Sequence, residues 1–209
     1  MSTSPGVLYD ISGNSLNLFG SQNANYLSSA NGIITSSLSS SWQTATTSLL
    51  NTDCHSIFFM IKFNPSSSWP NGWSCNWEQI LLCNGGGATD RSPGIWRYPT
   101  QRYLHWRYDP SNTGTDFGKD VSNNDFDLNT WYYVGVTKNG ASTVMYVNGV
   151  QVGTGTVSSP KTPGTSPIYL FSSYTYSSAN MGCLHIYNRP LSAAEVLQNF
   201  NVTRTDYGI

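Results

Sequence analysis

The sequence predicts an all-β protein, a sandwich of two antiparallel sheets with one short helix near the C-terminus. The strongest observation is the segment 130–155, in which Asn139-Gly140 and Asn148-Gly149 separate runs of β-branched and aromatic residues. Asn and Gly tolerate the positive φ angles of tight turns, so this segment predicts a three-stranded meander turning at both Asn-Gly pairs. Short apolar runs also recur along the chain between loops rich in Ser, Asn and Gly, a spacing typical of sandwiches.

The meander is expected to bury one face only. Val144, Tyr146, Val150 and Val152 alternate with smaller or polar residues around the second turn. Alternation with a period of two is typical of a strand that covers a core on one side and meets solvent on the other.

The remaining elements follow from local pattern. Residues 55–63 are the most hydrophobic run and are predicted to form a central strand, whereas the Ser-rich run 36–47, with Trp42, and the polar run 109–129 are predicted to be loops. Ser192 and Glu195 have the spacing of a capping box, which predicts a helix over 192–200. Further strands are predicted at 7–10, 16–18, 33–35, 79–83, 94–98, 102–108, 168–171 and 182–187.

Composition limits the classes of partner. The chain has 209 residues, which suits a single domain over 1–209, and only 10% of them are charged, with a net charge of −1. A net charge this close to zero does not indicate the basic surface that nucleic-acid binding needs, and no apolar run is long enough for a membrane span. A charge-poor surface suits a packed assembly or contact with polar, uncharged partners such as sugars. The N-terminal residues lack the pattern of a signal peptide, so we expect a protein used without export.

The four cysteines have neither zinc-knuckle spacing nor the density of a disulfide scaffold. Cys54 and Cys183 lie in apolar runs and are predicted to be small buried residues. Cys75 and Cys83 could bridge a loop, but without an oxidising compartment free thiols are favoured.

Three segments resemble the laminin G-like group of the concanavalin A-like lectin/glucanase superfamily. They are the opening turn from Asp10 to Asn14, the central hairpin carried by residues 131–137 and 145–149, and the closing segment 182–195. The resemblance implies a jelly-roll sandwich of two curved antiparallel sheets. The terminal run, residues 198–209, is similar to the ending of such domains in structural proteins of tailed phages and other large viruses.

Catalysis is not expected. Many members of the superfamily hydrolyse polysaccharides, a reaction that normally needs two carboxyl groups about 5–9.5 Å apart. The chain has only two glutamates, Glu78 and Glu195, and Glu195 belongs to the expected helix cap. Asp125 and Asp127 alternate suitably but lie in a run typical of turns. His55, His105 and His185 fall within expected strands, where packing explains them better than a catalytic triad does.

No cofactor is required by any motif, but the resemblance implies that calcium could bind at the edge of the sandwich. Asp10 and Asn14 could supply oxygen ligands. The favoured alternative is that Asp10 only caps its turn, with Asn14 in a left-handed conformation.

Two aromatic clusters are the candidate binding residues. They are, in a Pro/Gly loop, Trp69, Trp73 and Trp77, and, on a hairpin, Trp96, Arg97, Tyr98, Arg102, Tyr103, His105, Trp106 and Arg107. On that hairpin one face is expected to carry Tyr103, His105 and Arg107. The opposite face is expected to carry Arg102, Leu104, Trp106 and Tyr108. Three uses stay open for these side chains: cross-strand packing, a protein interface, and stacking on a sugar.

The sequence favours a non-enzymatic structural or adhesive protein of a virion, either decorating the capsid or attached to the tail or fibres. Its expected partners are other virion proteins, further copies of itself, and cell-surface glycans. The alternatives are a free-standing carbohydrate-binding lectin module and, third, a diverged glucanase.

Overall fold

The computed structural model describes residues 7–20, 34–35, 42–50, 52–65, 77–83, 93–98, 101–108, 114–157, 166–171 and 179–209. These residues form two antiparallel sheets and one C-terminal helix, which confirms the predicted fold class. The strands of the first, eight-stranded sheet are, in spatial order, β1 (Val7–Leu8), β2 (Leu18–Gly20), β4 (Trp42–Thr44), β13 (Ile168–Leu170), β6 (Glu78–Cys83), β7 (Gly94–Arg97), β8 (Leu104–Arg107) and β9 (Gly114–Phe117). Those of the second, six-stranded sheet are β12 (Val150–Thr156), β11 (Ser142–Val147), β10 (Trp131–Asn139), β5 (Cys54–Phe63), β14 (Ala179–Tyr187) and β3 (Ile34–Thr35).

The main core lies between the two sheets, and alternate residues of each strand enter it. From β5 it receives Ile57, Phe59 and Ile61, and from β8 it receives Leu104 and Trp106, all five of them fully buried. This confirms β5 as a central strand, since it pairs with β10 on one side and β14 on the other.

A second apolar cluster covers the outer side of the six-stranded sheet. Phe58 and Met60 of β5 point away from the main core and pack with Val196 and Phe200 of helix α1 (Ala193–Thr203). The meander contributes to both clusters, because Val134 and Met145 enter the main core while Tyr133 and Tyr146 enter the second cluster. Its strands β10 and β11 are therefore buried on both faces, and the expectation of one buried face is wrong for them. Val150, which was expected in the buried set, is 62% exposed.

The meander itself is confirmed. Asn148 and Gly149 both have positive φ, 50° and 78°, as a tight two-residue turn requires. The first turn is shifted by one residue from the expected position. Asn139 pairs with Ser142, so the turn residues are Gly140 and Ala141, and only Gly140 has positive φ.

Two strands were predicted to be loops. Strand β4 carries Trp42, which is fully buried in the main core, and β9 pairs with β8 along the edge of the eight-stranded sheet. Both lie in runs dominated by Ser, Thr, Asn or Gly, so their strand character comes from pairing with neighbours and not from local propensity.

The capping box is confirmed. The Ser192 hydroxyl accepts from the Glu195 backbone N–H at 3.3 Å, and the Glu195 carboxylate accepts from the Ser192 backbone N–H at 2.8 Å. A 3₁₀ turn, Arg204–Tyr207, follows the helix and brings the Tyr207 hydroxyl to the Cys183 backbone N–H at 2.8 Å. No helix among the described residues combines the length and apolar character that crossing a membrane would need.

Candidate functional site

The site is built on the face of the eight-stranded sheet that points away from the main core. Cross-strand pairing places Trp96, His105 and Asp116 in one row across β7, β8 and β9, and Arg107 lies in the next row between Gly94 and Gly114. Trp77 precedes β6, Tyr98 follows β7 and Tyr103 precedes β8, so these three rings meet at one end of the strands. We call the following six residues the outer-face cluster: Trp77, Tyr98, Tyr103, His105, Arg107 and Asp116.

The aromatic rings of the cluster are in continuous contact. The ring centroid of Tyr98 lies 4.3 Å from that of Trp77 and 4.5 Å from that of Tyr103. The His105 ring packs against Trp77 at 4.8 Å and edge-on against Tyr98 at 5.1 Å, and His105 is only 3% exposed. The partly exposed rings therefore belong to Trp77, Tyr98 and Tyr103, with His105 packed against them.

Asp116 holds the polar side of the cluster together. Its Oδ1 is 2.8 Å from His105 Nδ1 and accepts from Arg107 Nη1 at 3.0 Å, while its Oδ2 accepts from the Tyr98 hydroxyl at 2.8 Å. Burial by itself would raise the pKa of Asp116, but the hydrogen bonds from His105 and Tyr98 and the charge of Arg107 outweigh it and lower the pKa. Burial, followed by the bond to Asp116, raises the pKa of Tyr98 to about 12, so its hydroxyl stays a donor.

Because Gly114 has no Cβ, it leaves room for the Arg107 side chain to cross the neighbouring strand. A Cβ at Gly114 would lie 2.8 Å from Arg107 Cδ and 2.0 Å from the Trp106 carbonyl oxygen. The Arg107 guanidinium donates from Nη1 to that same carbonyl oxygen and to Asp116. Its Nε is buried and has no hydrogen-bond partner among the described residues. Glycine within a strand often marks such a close approach.

The structure separates the predicted hairpin residues into an inner and an outer set. Trp106 and Arg97 point into the sandwich, where Trp106 is fully buried and Arg97 is 1% exposed. Trp96 belongs to the outer face but is only 3% exposed. Arg102 lies before β8, where its backbone N–H donates to Asp125 Oδ1 at 2.7 Å. Trp69 and Trp73 lie outside the described residues.

Asp116 belongs to the candidate site but was not among the candidate residues found in the sequence. It falls in the run 109–129, which was predicted to be a loop. Only the pairing of His105 with Asp116 across β8 and β9 reveals it, and no short sequence motif carries that information.

The carboxylates considered for catalysis have other partners. Glu78 is 1% exposed, and its Oε1 accepts from Arg97 Nη2 at 2.8 Å inside the sandwich. Glu195 is part of the helix cap and also contacts Arg189 at 2.6 Å. Asp127 accepts from the Tyr132 hydroxyl at 2.8 Å and pairs with Lys119 at 3.0 Å.

The Asp10 carboxylate serves the opening turn. Its Oδ1 accepts from the Ser12 backbone N–H at 2.8 Å and its Oδ2 from that of Leu16 at 3.0 Å, and the hydrogen bonds around it lower the pKa of Asp10. These contacts are those of a turn cap, the alternative that the sequence favoured. Gly13 and Ser15 have positive φ in this turn, not Asn14 as expected. Among the described residues no group of three or more His, Cys, Asp and Glu is placed to hold a metal. Calcium binding by Asp10 and Asn14 stays a prediction.

Cys54 and Cys183 are both free thiols and are partly exposed, so the expectation of burial is wrong for them. Burial nevertheless raises the pKa of Cys183 to about 11. Cys83 is buried, and Cys75 lies outside the described residues, so the question of a bridge between them stays open. The histidines are packed and hydrogen-bonded as expected: His55 Nδ1 lies 3.0 Å from the Thr52 carbonyl oxygen, and His185 Nδ1 lies 3.1 Å from the Tyr133 hydroxyl.

Comparison with models of protein families identifies the superfamily of this chain. A family model described as the concanavalin A-like lectin/glucanases superfamily matches residues 35–197, which is most of the sequence. The chain belongs to this superfamily. The sequence has no significant match among curated proteins.

Solved structures share the fold at low sequence identity. The binding domain of botulinum neurotoxin serotype D matches with a TM-score of 0.71 and 14% identity, over 96% of this chain and 52% of that one. The Trypanosoma rangeli sialidase in complex with 2,3-difluorosialic acid matches with a TM-score of 0.69 and 15% identity, over 95% of this chain and 31% of that one. The chain thus spans about half of the toxin domain and under a third of the sialidase, and it has a lectin-like fold.

Proposed function

We propose that this domain is a non-enzymatic glycan-binding module that binds sugars on the outer-face cluster. The observation that carries the proposal is the contact between three partly exposed rings, of Trp77, Tyr98 and Tyr103, and a fixed polar pair, Asp116 and Arg107. Aromatic faces pack on the C–H surfaces of sugars, and planar polar groups beside them orient the hydroxyls. Membership of a superfamily of lectins and glucanases supports this use of the fold.

The absence of catalysis is part of the proposal. Its support is the engagement of the carboxylates, with Glu78 bound to Arg97 in the interior and Glu195 in the helix cap. Retaining and inverting glycosidases both need two carboxyl groups that flank the scissile bond. Release of reducing sugar from β-glucans by the purified protein would overturn this part of the proposal without touching the binding part.

A glycan array with the purified protein tests the binding. We expect the protein to bind a subset of glycans and the Trp77→Ala variant to bind them about tenfold more weakly, since a lost aromatic contact costs on the order of 1 kcal/mol or more. The control is Gln43→Ala, because Gln43 is exposed on the same face of the sheet but pairs with Phe19 and Tyr169, away from the cluster. Absence of binding to every glycan, or equal losses in the two variants, would overturn the proposal.

A role in a virion is the second candidate, in which the domain contacts other structural proteins or further copies of itself. The specific observation is a set of apolar side chains at the β1–β2 edge of the sheet: Tyr9 is 77% exposed, Ile11 fully exposed and Phe19 45% exposed. Large apolar side chains exposed at one edge of a sheet are a feature of many protein interfaces.

Sedimentation of the purified protein and mass spectrometry of purified viral particles test this candidate. A stable oligomer that Tyr9→Ser and Ile11→Ser dissociate would support it, as would recovery of the protein in the particles. A monomer that is absent from the particles would overturn it.

A further inference from the structure

The polar part of the outer-face cluster offers a ligand both a donor and an acceptor. Both hydrogen bonds that the Arg107 guanidinium makes with the described residues come from Nη1, and Nε is buried, so Nη2 is the donor that has no acceptor among the described residues and is left for a ligand. Within the part of the chain that the structure describes, Asp116 Oδ2 accepts one hydrogen bond, from Tyr98, and a carboxylate oxygen can accept two. The side chains of Asp116 and Arg107 are 27% and 13% exposed, so a ligand reaches the pair from the outer face.

The charges of the pair cancel. Asp116 and Arg107 lie 3.0 Å apart, so an anionic ligand that meets the guanidinium also meets the carboxylate, and a cationic ligand faces the opposite conflict. A hydroxyl group has neither conflict because it donates and accepts at once. Two adjacent hydroxyls match this pair, one donating to Asp116 Oδ2 and the other accepting from Arg107 Nη2.

We propose that the outer-face cluster selects neutral sugars, and that it binds two adjacent hydroxyl groups of one sugar ring through Asp116 and Arg107. This inference rests on the proposed glycan binding and names its ligand class. Tyr98 and His105 are positioning residues, since each fixes Asp116 by a hydrogen bond of 2.8 Å. The lowered pKa of Asp116 keeps its carboxylate charged at neutral pH, so the acceptor is always present. The site requires no calcium, because protein donors already orient the carboxylate.

An array of matched glycans tests the inference. The probes are oligosaccharides of glucose, galactose and mannose, each printed beside the corresponding glucuronate, galacturonate or mannuronate oligosaccharide. We expect binding to at least one neutral series, loss of about tenfold or more on its uronate counterpart, and no effect of EDTA.

Two variants test whether Asp116 and Arg107 are the residues that bind the sugar hydroxyls. Asp116→Asn keeps the shape but removes the charge, and Arg107→Lys keeps the charge but removes the planar guanidinium with its Nη2 donor. We expect each to weaken binding of the neutral probe by about tenfold or more, with Gln43→Ala unchanged, because hydrogen bonds to charged groups carry that much free energy. Thermal unfolding of each variant separates loss of binding from loss of folding, because a variant that unfolds at the wild-type temperature but binds weakly has lost only the contact.

The possible results distinguish failure of this inference from failure of the proposed glycan binding. Preference for the uronate probes, binding that EDTA abolishes, or full affinity in folded Asp116→Asn and Arg107→Lys would overturn the inference and leave glycan binding in place. Absence of binding to all probes would overturn the proposed function together with the inference.

Discussion

At the scale of single residues, the most unusual feature is an ion pair inside the sandwich. Arg97 and Glu78 are each 1% exposed and lie 2.8 Å apart, with the Arg97 guanidinium 5.4 Å from the Phe63 ring. Burial lowers the pKa of Arg97, and the charge of Glu78 opposes that effect. Desolvation of two charges largely cancels their attraction, so such a pair contributes little net stability even though each partner depends on the other.

This pair gives a prediction for the free energy of unfolding. Arg97→Met leaves the Glu78 carboxylate buried without its cation, and we expect a loss of about 3–5 kcal/mol. The double variant Glu78→Leu/Arg97→Met removes both charges, and we expect it to be about as stable as the wild type. Urea unfolding measures all three proteins. A loss below about 1 kcal/mol in Arg97→Met, typical of an exposed pair, would contradict the buried arrangement.

At the scale of elements, helix α1 and the turn after it act as a cover for the six-stranded sheet. Phe200 and Val196 pack on Phe58 and Met60, and the Tyr207 hydroxyl binds the backbone where β14 is irregular. Gly182 permits that approach, since a Cβ there would lie 2.3 Å from the Tyr207 oxygen. The cover explains why β5 is apolar on both faces.

The helix cap gives a prediction for this cover. Ser192→Ala removes the side-chain acceptor of the capping box, and we expect a loss of about 1 kcal/mol in the free energy of unfolding. Thr205→Ala is the matched control, because Thr205 is exposed and bonds only weakly to the Val202 carbonyl oxygen, at 3.4 Å. Urea unfolding that finds equal stability for the two variants would argue against the cap.

His185 on β14 gives a prediction for pH dependence. Burial lowers the pKa of His185 below its ordinary value of 6.5. As the pH falls below about 6.5, His185 binds a proton in the unfolded chain but not yet in the folded chain. The free energy of unfolding therefore decreases as the pH falls from about 6.5 to the lower pKa of the folded state. The slope for one proton is at most about 1.4 kcal/mol per pH unit.

Urea unfolding between pH 7.5 and 5.0 measures the slope. We expect His185→Gln to flatten it, while the carboxylates whose pKa is lowered, such as Asp116 and Asp10, act only below their ordinary value of 3.8. An unchanged slope in His185→Gln would show that His185 binds protons equally in both states.

The elements that could be predicted from sequence are those with strong local signals. The Asn148-Gly149 turn, the apolar run of β5 and the capping box at Ser192 needed no knowledge of the rest of the fold. Strands β4 and β9 could not be predicted, because each is only three or four residues long within a run rich in turn-forming Ser, Asn, Asp or Gly, and pairing with neighbouring strands orders it. The one-residue shift of the first turn has the same origin, since Asn139 is fixed by pairing with Cys54 as well as with Ser142.

At the scale of the whole molecule, the candidate site is a product of sheet register. Alternation along β8 could be predicted, but the side that faces the core could not, so the candidate set mixed buried Arg97 and Trp106 with partly exposed Tyr98 and Arg107. Asp116 joins the site only because β9 pairs with β8 at that register. The six residues come from four neighbouring segments of one sheet, which is why no contiguous motif marks them.

The most direct measurement for the whole molecule is NMR titration of the labelled protein with the neutral oligosaccharide that binds best on the array. The account predicts that chemical-shift changes concentrate on the indole N–H of Trp77, on Tyr98 and Tyr103, and on the backbone amides of Arg107 and Asp116. Shifts confined to the six-stranded sheet and helix α1, with the outer-face cluster unchanged at saturation, would contradict it.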